Sequence, residues 1–275
     1  MLNNNTMTRM MQVVWPALPL LLFLSACSVA PRMDGAPPAG SIDVSSIHDA
    51  VPRVEPRSKY GNPSSYVVHG RRYYVMKSDK GYEERGIASW YGYKFHGQRT
   101  SSGETYNMYA MTAAHKELPL PSYVKVTNLR NGRSVVVKVN DRGPFHENRL
   151  IDVSYAAAVK LGIIKTGTGL VEVRAIDPRT YQDKGTTIQV RNDSNGGNTD
   201  FYIQVGAFSS LLNAQNLQTK LAALTLGGVR ISAAVVNGGR VYRVQIGPIN
   251  DVNAADYIVA VLERVGVYEH NIVFD

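Results

Sequence analysis

Two acids and one histidine stand in a polar, glycine-marked stretch of this chain. Glu104 lies in Thr100-Ser101-Ser102-Gly103-Glu104, His115 in Thr112-Ala113-Ala114-His115, and Asp141 in Asn140-Asp141-Arg142-Gly143-Pro144-Phe145. A carboxyl group poised beside a second polar group is the usual means of breaking a glycosidic bond. The glycosidic oxygen leaves poorly until it is protonated. One carboxyl must therefore hold a proton near neutral pH, through burial or a neighbouring negative charge. Each residue also has a plainer reading. Asp141 can bond the backbone of the Gly143-Pro144 turn. Glu104 can be a solvated loop residue, and His115 can anchor a loop instead of holding a carboxylate or meeting substrate. His96, His115 and His146 lack the spacing of metal ligands, so neither a metal nor another cofactor is expected. There is no Gly-X-Ser-X-Gly run, and serine or cysteine catalysis has no support.

Such residues need a rigid frame. Residues 133–140 alternate, with Val135, Val137 and Val139 on one face, and deliver Asp141 at the end of a strand. Further strands are predicted over 87–92, 123–128, 150–153 and 170–176, with Asn131-Gly132 as a hairpin turn. A helix is predicted from an N-cap at Ser154 to Leu161, stopped by Gly162. Two alternating runs around His69-Gly70 predict a leading hairpin. Many short strands with one helix point to a small β-barrel.

From Phe201 the pattern changes to βαββαβ. The helical stripes are Ala214, Leu217, Leu221, Leu224 and then Ala255, Ile258, Leu262, Val265. That order gives an antiparallel sheet with both helices on one face. Ile203, Val205 and Ala207 are read towards the helices. The open face then shows Tyr202, Gln204, Arg243 and Gln245. An RNA-recognition fold has the same outline, but its stacked aromatic pattern is missing here.

The amino terminus reads as a secretory signal peptide, with Arg9, an apolar run over 13–24 and small residues after it. Its end, Leu24-Ser25-Ala26-Cys27, resembles the lipobox of bacterial lipoproteins, and Cys27 is the only cysteine in 275 residues. The expectation is cleavage before Cys27, acylation there (palmitate included), and durable anchoring by several acyl chains. Ser28 in the next position implies the outer membrane of a Gram-negative bacterium, facing the periplasm. A single cysteine leaves no internal disulfide. No other apolar run is long enough to span a bilayer. The formal net charge of +8 suits an acidic polymer such as peptidoglycan, or anionic lipid. Export argues against nucleic acid. Residues 27–65 and 177–200 are rich in Pro, Ser, Gly and Asn and read as a flexible tether and a linker.

The motifs Gly86-Ile87-Ala88-Ser89-Trp90-Tyr91-Gly92, Phe95-His96-Gly97, Thr100 to Glu104, Met111 to His115 and Val139 to Phe145 closely resemble the rare lipoprotein A (RlpA) family. The resemblance spans residues 66–174. Phe201 to Phe208 and Val241 to Pro248 resemble a SPOR domain. The implied fold is a six-stranded double-psi β-barrel followed by a βαββαβ domain. The implied organisation is signal peptide 1–26, tether 27–65, barrel with its hairpin 66–176, linker 177–200 and SPOR domain 201–275. The implied activity is a septal lytic transglycosylase that cuts the β-1,4 bond between N-acetylmuramic acid and N-acetylglucosamine. The muramyl 6-hydroxyl attacks its own anomeric carbon and leaves a 1,6-anhydro end. The implied partner is peptidoglycan stripped of stem peptides, which links the protein functionally to amidases. On this resemblance Asp141 is the general acid/base, with Glu104 and His115 as catalytic partners. Tyr91, His96, Ser102 and Arg142 are the expected substrate contacts in the barrel, and Tyr202, Gln204, Arg243 and Gln245 those in the SPOR domain. The competing expectation is a non-catalytic, outer-membrane-anchored glycan binder, or an expansin-like wall-loosening protein.

Overall fold

The structure is a computed structural model that describes residues 34–37, 43, 46–181, 200–224 and 226–274. The signal peptide, Cys27 and linker residues 182–199 lie outside these.

A two-stranded hairpin, β1 (Ser65–Val68) and β2 (Arg71–Tyr74), turns at His69-Gly70. Six strands then close a barrel: β3 (Glu83–Tyr91), β4 (Thr112–His115), β5 (Ser122–Asn128), β6 (Ser134–Asp141), β7 (Arg149–Ser154) and β8 (Gly169–Ala175). Their order around the barrel is β3-β7-β4-β6-β5-β8. The alternating valines account for the closure. Val135, Val137 and Val139 of β6 meet Val124 and Val126 of β5 and Val171 and Val173 of β8 in a dry interior. Helix α1 (Tyr155–Leu161) caps this core with Ala156, Ala157, Ala158 and Leu161. Ser154 Oγ accepts the Ala157 amide, and Gly162 closes the helix in the left-handed conformation. An N-cap of this kind contributes about 1 kcal/mol.

Strand β4 is the element that the sequence patterning passed over. It has four residues, too few for a period to show, yet it holds the barrel together. It pairs parallel with β6 and antiparallel with β7. Both parallel pairings slip by one residue. Ala113 faces Val139 but Ala114 faces Asp141, so Asn140 is passed over. Ile87 faces Arg149 but Ala88 faces Ile151. Such irregularities re-aim the side chains beyond them. Here Val139 stays inside and Asp141 is brought to the outer face.

Residues 46–63, read from composition as part of a loose tether, lie along the barrel. Asp49 pairs with Lys160 at 2.9 Å and accepts the Val136 amide. Glu55 meets Lys138 at 2.9 Å and also bonds Tyr123. Asn62 both donates to and accepts from the backbone of Leu120. Low hydrophobicity hid this segment because polar bonds hold it, with Ile47 and Ala50 as its apolar contacts to the core.

The C-terminal domain runs β9 (Phe201–Phe208), α2 (Leu211–Ala222), β10 (Val229–Val236), β11 (Gly239–Ile249), α3 (Val252–Arg264) and β12 (Asn271–Phe274). The antiparallel sheet has the order β10-β11-β9-β12. Ile203, Val205, Val244 and Ile246 pack against Ala214 and Leu221 of α2 and Ala255, Ile258 and Leu262 of α3. A register slip at Val205 alters the expected alternation. Ala207 is exposed, and Phe208 packs on the core instead. Val265, the last residue of the expected stripe, is also exposed, because α3 ends at Arg264. Ile87 and Leu170 of the barrel join the apolar cluster of this domain. Arg149 grips both oxygens of Asp256, at 2.9 and 2.6 Å.

Candidate active site

The loop Thr100–Glu104 and the end of β6 are clamped to each other. Asp141 Oδ1 accepts three hydrogen bonds, from Ser101 N at 2.8 Å, Ser101 Oγ at 2.7 Å and Arg142 N at 2.7 Å. In return, Ser102 N donates to the carbonyl of Asn140 at 3.2 Å. Glu104 Oε1 meets Lys138 Nζ at 2.8 Å, and Glu104 Oε2 accepts from Asn140 Nδ2 at 2.6 Å. The loop is closed by Thr100 N to Glu104 O at 2.8 Å and by the Thr100 hydroxyl. Both acids are thus fixed on one loop–strand joint. Asp141 is partly exposed and Glu104 is exposed.

The segment before β1 braces this joint. Gly61 takes φ +78°, and a Cβ there would sit 2.7 Å from the Ser101 carbonyl oxygen, so only glycine fits. The Tyr60 ring lies beside Gly103 with 61% of its surface exposed. Tyr60, Ser101, Lys138 and Asn140 were not singled out as functional in the sequence. Ser101 and Asn140 stand inside the quoted motifs, so the signal was there; Tyr60 gave none, because its segment read as tether.

Three expected site residues have other duties. His115 is the first. It is 2% exposed, and its Nδ1 accepts the amides of Glu117 and Leu118 at 3.1 and 3.0 Å. That leaves the proton on Nε2, which lies 2.8 Å from Tyr82 Oη; the tyrosine hydroxyl then donates to Glu84 at 2.9 Å. Burial lowers the His115 pKa to about 3, with Lys116 and Arg142 adding to the effect. It is a neutral loop anchor with both ring nitrogens engaged. The second is Arg142, whose guanidinium points inward. It donates to the carbonyls of Gly61 at 2.8 Å, His115 at 3.0 Å and Leu118 at 2.6 Å, and to Asn62 Oδ1 at 3.3 Å. It staples the loop after β4 to the segment before β1 and offers no fork to a sugar. The third is Tyr91, whose ring is buried and stacked on Tyr106 at 4.1 Å. Burial pushes its hydroxyl well above the usual range, with Tyr106, Asp141 and Asp152 adding to that. No ring face is left for a sugar.

The other two stand at the surface. Ser102 is partly exposed, with its hydroxyl 3.0 Å from that of Thr100. His96 is exposed, accepts the Met108 amide at 3.2 Å and lies edge-on to Tyr109. Among the described residues no group of three His, Cys, Asp or Glu side chains is placed to hold a metal. Two cavities, of about 440 and 260 Å³, lie away from both acids. Both acids stand at the barrel surface, Glu104 the more exposed of the two.

On the open face of the C-terminal sheet, Arg230, Gln245, Gln204 and Asn271 form one row across four strands. Tyr202 and Gln245 are buried there, contrary to expectation. The Arg230 guanidinium lies 3.4 Å from the Tyr202 ring centroid, and its Nε donates to Gln245 at 3.0 Å. Gln204 and Arg243 keep partial exposure. Arg230 is the surface group that the sequence reading missed.

Comparison with known proteins agrees with this architecture. The family described as lytic transglycolase matches residues 83–174, and the SPOR domain family matches residues 197–273. The endolytic peptidoglycan transglycosylase RlpA of Pseudomonas aeruginosa (strain UCBPP-PA14) is 42% identical over 268 residues, covering 80% of this chain and 78% of its own length. The protein of the same description from Vibrio cholerae serotype O1 is 40% identical, covering 93% of both chains. A solved RlpA SPOR domain from Pseudomonas aeruginosa covers 26% of this chain and 96% of its own, with 30% identity and a TM-score of 0.26. A barrel bearing two clamped acids, a SPOR domain after it, and identity near 40% along most of the chain lead to one conclusion: this protein belongs to the RlpA family of endolytic peptidoglycan transglycosylases.

Proposed function

We propose that the barrel cleaves the β-1,4 bond between N-acetylmuramic acid and N-acetylglucosamine in glycan strands stripped of stem peptides, and leaves 1,6-anhydro ends. The carrying observation is the reciprocal clamp between the Thr100–Glu104 loop and the end of β6. It fixes two carboxyl groups at the barrel surface, with Asp141 at the end of a strand that the barrel core holds rigid. Asp141 is the acid/base. Its Oδ1 is filled by three donors, so the proton it exchanges with the sugar sits on Oδ2. In the simplest cycle this carboxyl gives a proton to the glycosidic oxygen and then takes one from the muramyl 6-hydroxyl. Glu104 has both carboxyl oxygens engaged, one by the Lys138 ammonium and the other by Asn140. It stands as fixed negative charge near the developing oxocarbenium ion. Ser102 and His96 supply polar contacts at the rim.

In this reading the SPOR domain, through Arg230, Arg243 and Gln204, holds stripped glycan at the division septum. Acylated Cys27 tethers the protein to the periplasmic face of the outer membrane. Mass spectrometry of products from amidase-treated sacculi tests the chemistry. Wild type releases anhydro-muropeptides; Asp141→Asn releases none and still binds the sacculi. Equal product from the variant would take the acid/base role from Asp141, and no anhydro product from wild type would leave only a binding or wall-loosening role. Deletion of residues 201–275 should abolish septal enrichment and spare chemistry in solution; a truncated protein that stays at the septum would contradict the targeting role.

A further inference from the structure

Asp152 is a second carboxyl on the same outer face as Asp141. Ala114 of β4 faces Asp141 on one side and Asp152 of β7 on the other. Residues directly opposite on neighbouring strands share a face, so all three point away from the barrel interior, with Ala114 covered by Tyr91, Tyr106 and Met108. Two strand spacings place the two aspartate Cα atoms about 10 Å apart. Ser89, opposite Asp152 on β3, donates its hydroxyl to Asp152 Oδ1. Asp152 still keeps part of its surface in solvent. The hydroxyls of Tyr91 and Tyr106 feel the charge of both aspartates, which places the two acids around one tyrosine pair.

The single-carboxyl cycle has a difficulty at Asp141. Three donors fill its Oδ1, so one oxygen, Oδ2, would have to serve both the leaving oxygen and the 6-hydroxyl on opposite sides of the anomeric carbon. Asp152 differs. Burial raises its pKa, which outweighs the Ser89 hydroxyl, Arg149 and Lys116, all of which favour the charged form; Asp34 adds to the rise. Inverting glycosidases, which seat an attacking water between two carboxyls, set them about 6.5–9.5 Å apart, and an attacking 6-hydroxyl needs comparable room. Side chains on Cα atoms at this spacing can meet that range.

We propose that Asp152 is a catalytic carboxyl of this site and donates the proton to the glycosidic oxygen, while Asp141 receives the proton of the muramyl 6-hydroxyl. The bond from the anomeric carbon to the leaving oxygen breaks as that oxygen takes the Asp152 proton. The bond from O6 to the anomeric carbon forms as O6 loses its proton to Asp141. Asp141 then releases its proton to water and Asp152 takes one up, so the cycle closes with no other reactant. This rests on the transglycosylase reading above and divides its proton work between two residues.

The test uses the full chain and two substrates. One is stripped glycan. The other is an aryl glycoside of the same disaccharide, whose phenolate departs without protonation. Asp152→Asn should lower kcat on stripped glycan by at least 100-fold with KM within threefold, and should lower it less than tenfold on the aryl glycoside. Asp141→Asn should lose both, because O6 still needs a base. Ser89→Ala removes a bond that favours ionised Asp152, so the alkaline limb of the kcat–pH profile should move upward. Full activity of Asp152→Asn on stripped glycan would overturn the proposal, as would equal loss on both substrates or an unmoved limb in Ser89→Ala. Absence of anhydro product from wild type would instead end the transglycosylase reading itself.

Discussion

Ala114 and His115 are neighbours on β4, and the two faces of that strand do opposite things. On the Ala114 face lie Asp141 and Asp152, both partly open to solvent. On the His115 face the polar atoms are closed into a chain from His115 through Tyr82 to Glu84, with Arg142 tied to the backbone above it. Both regions hold titratable groups at motif positions. One keeps an unfilled carboxylate oxygen and solvent; the other has its donors and acceptors spent. A functional group needs unspent capacity, and burial with full pairing removes it.

The largest break in this contrast comes from Arg142, which links the two faces. Its side chain serves the carbonyls under His115, and its own amide bonds Asp141. Arg142→Ala strands several buried carbonyls and should cost about 3–5 kcal/mol of stability. Denaturant unfolding measures this, and an effect below about 1 kcal/mol would contradict the staple.

Next is His115. Its folded pKa of about 3 lies below the unfolded value, so the unfolded chain binds more protons between about pH 3 and pH 6.5. The stability from neutral His115 is fully present above about pH 6.5 and is lost as pH falls through that window. The expected loss between pH 7 and pH 4 is about 3 kcal/mol. His115→Gln should flatten that slope while the activity–pH profile keeps its shape. A profile that changes shape would return His115 to the chemistry.

Glu104→Gln keeps the bond to Asn140 and removes the charge. It should lower kcat about tenfold, equivalent to about 1.4 kcal/mol, with thermal stability nearly unchanged. An unaltered kcat would make Glu104 a loop brace. The smallest effect belongs to Tyr60→Ala. The exposed ring should contribute less than about 0.5 kcal/mol to stability. KM for stripped glycan should rise a few-fold if the ring stacks on a sugar face, and an unchanged KM would remove it from the site.

Much of this was legible in the residues. The valine alternation of β6, the Ser154 and Gly162 helix signals and the hairpin turn at His69-Gly70 are local features, and local features are written in sequence. Strand β4 is four residues long and carries no period, so it stayed hidden. The segment 46–63 stayed hidden because hydrogen bonds rather than apolar area hold much of it. Asp152 was passed over for a related reason. It lies inside a short run read only as a strand, and nothing nearby along the chain marks it as facing Asp141.

The sequence alone determined the strands and helices with clear periods, the two-domain order, and the pair Glu104 and Asp141 as candidates. It did so because turn residues, caps and alternation act within a few positions. Only the tertiary structure decided which polar groups keep free capacity. His115, Arg142 and Tyr91 were consumed by partners far along the chain, while a one-residue slip between β4 and β6 turned Asp141 outward. Pairing across a closed barrel brings together residues dozens of positions apart, and no local pattern records which of them will meet.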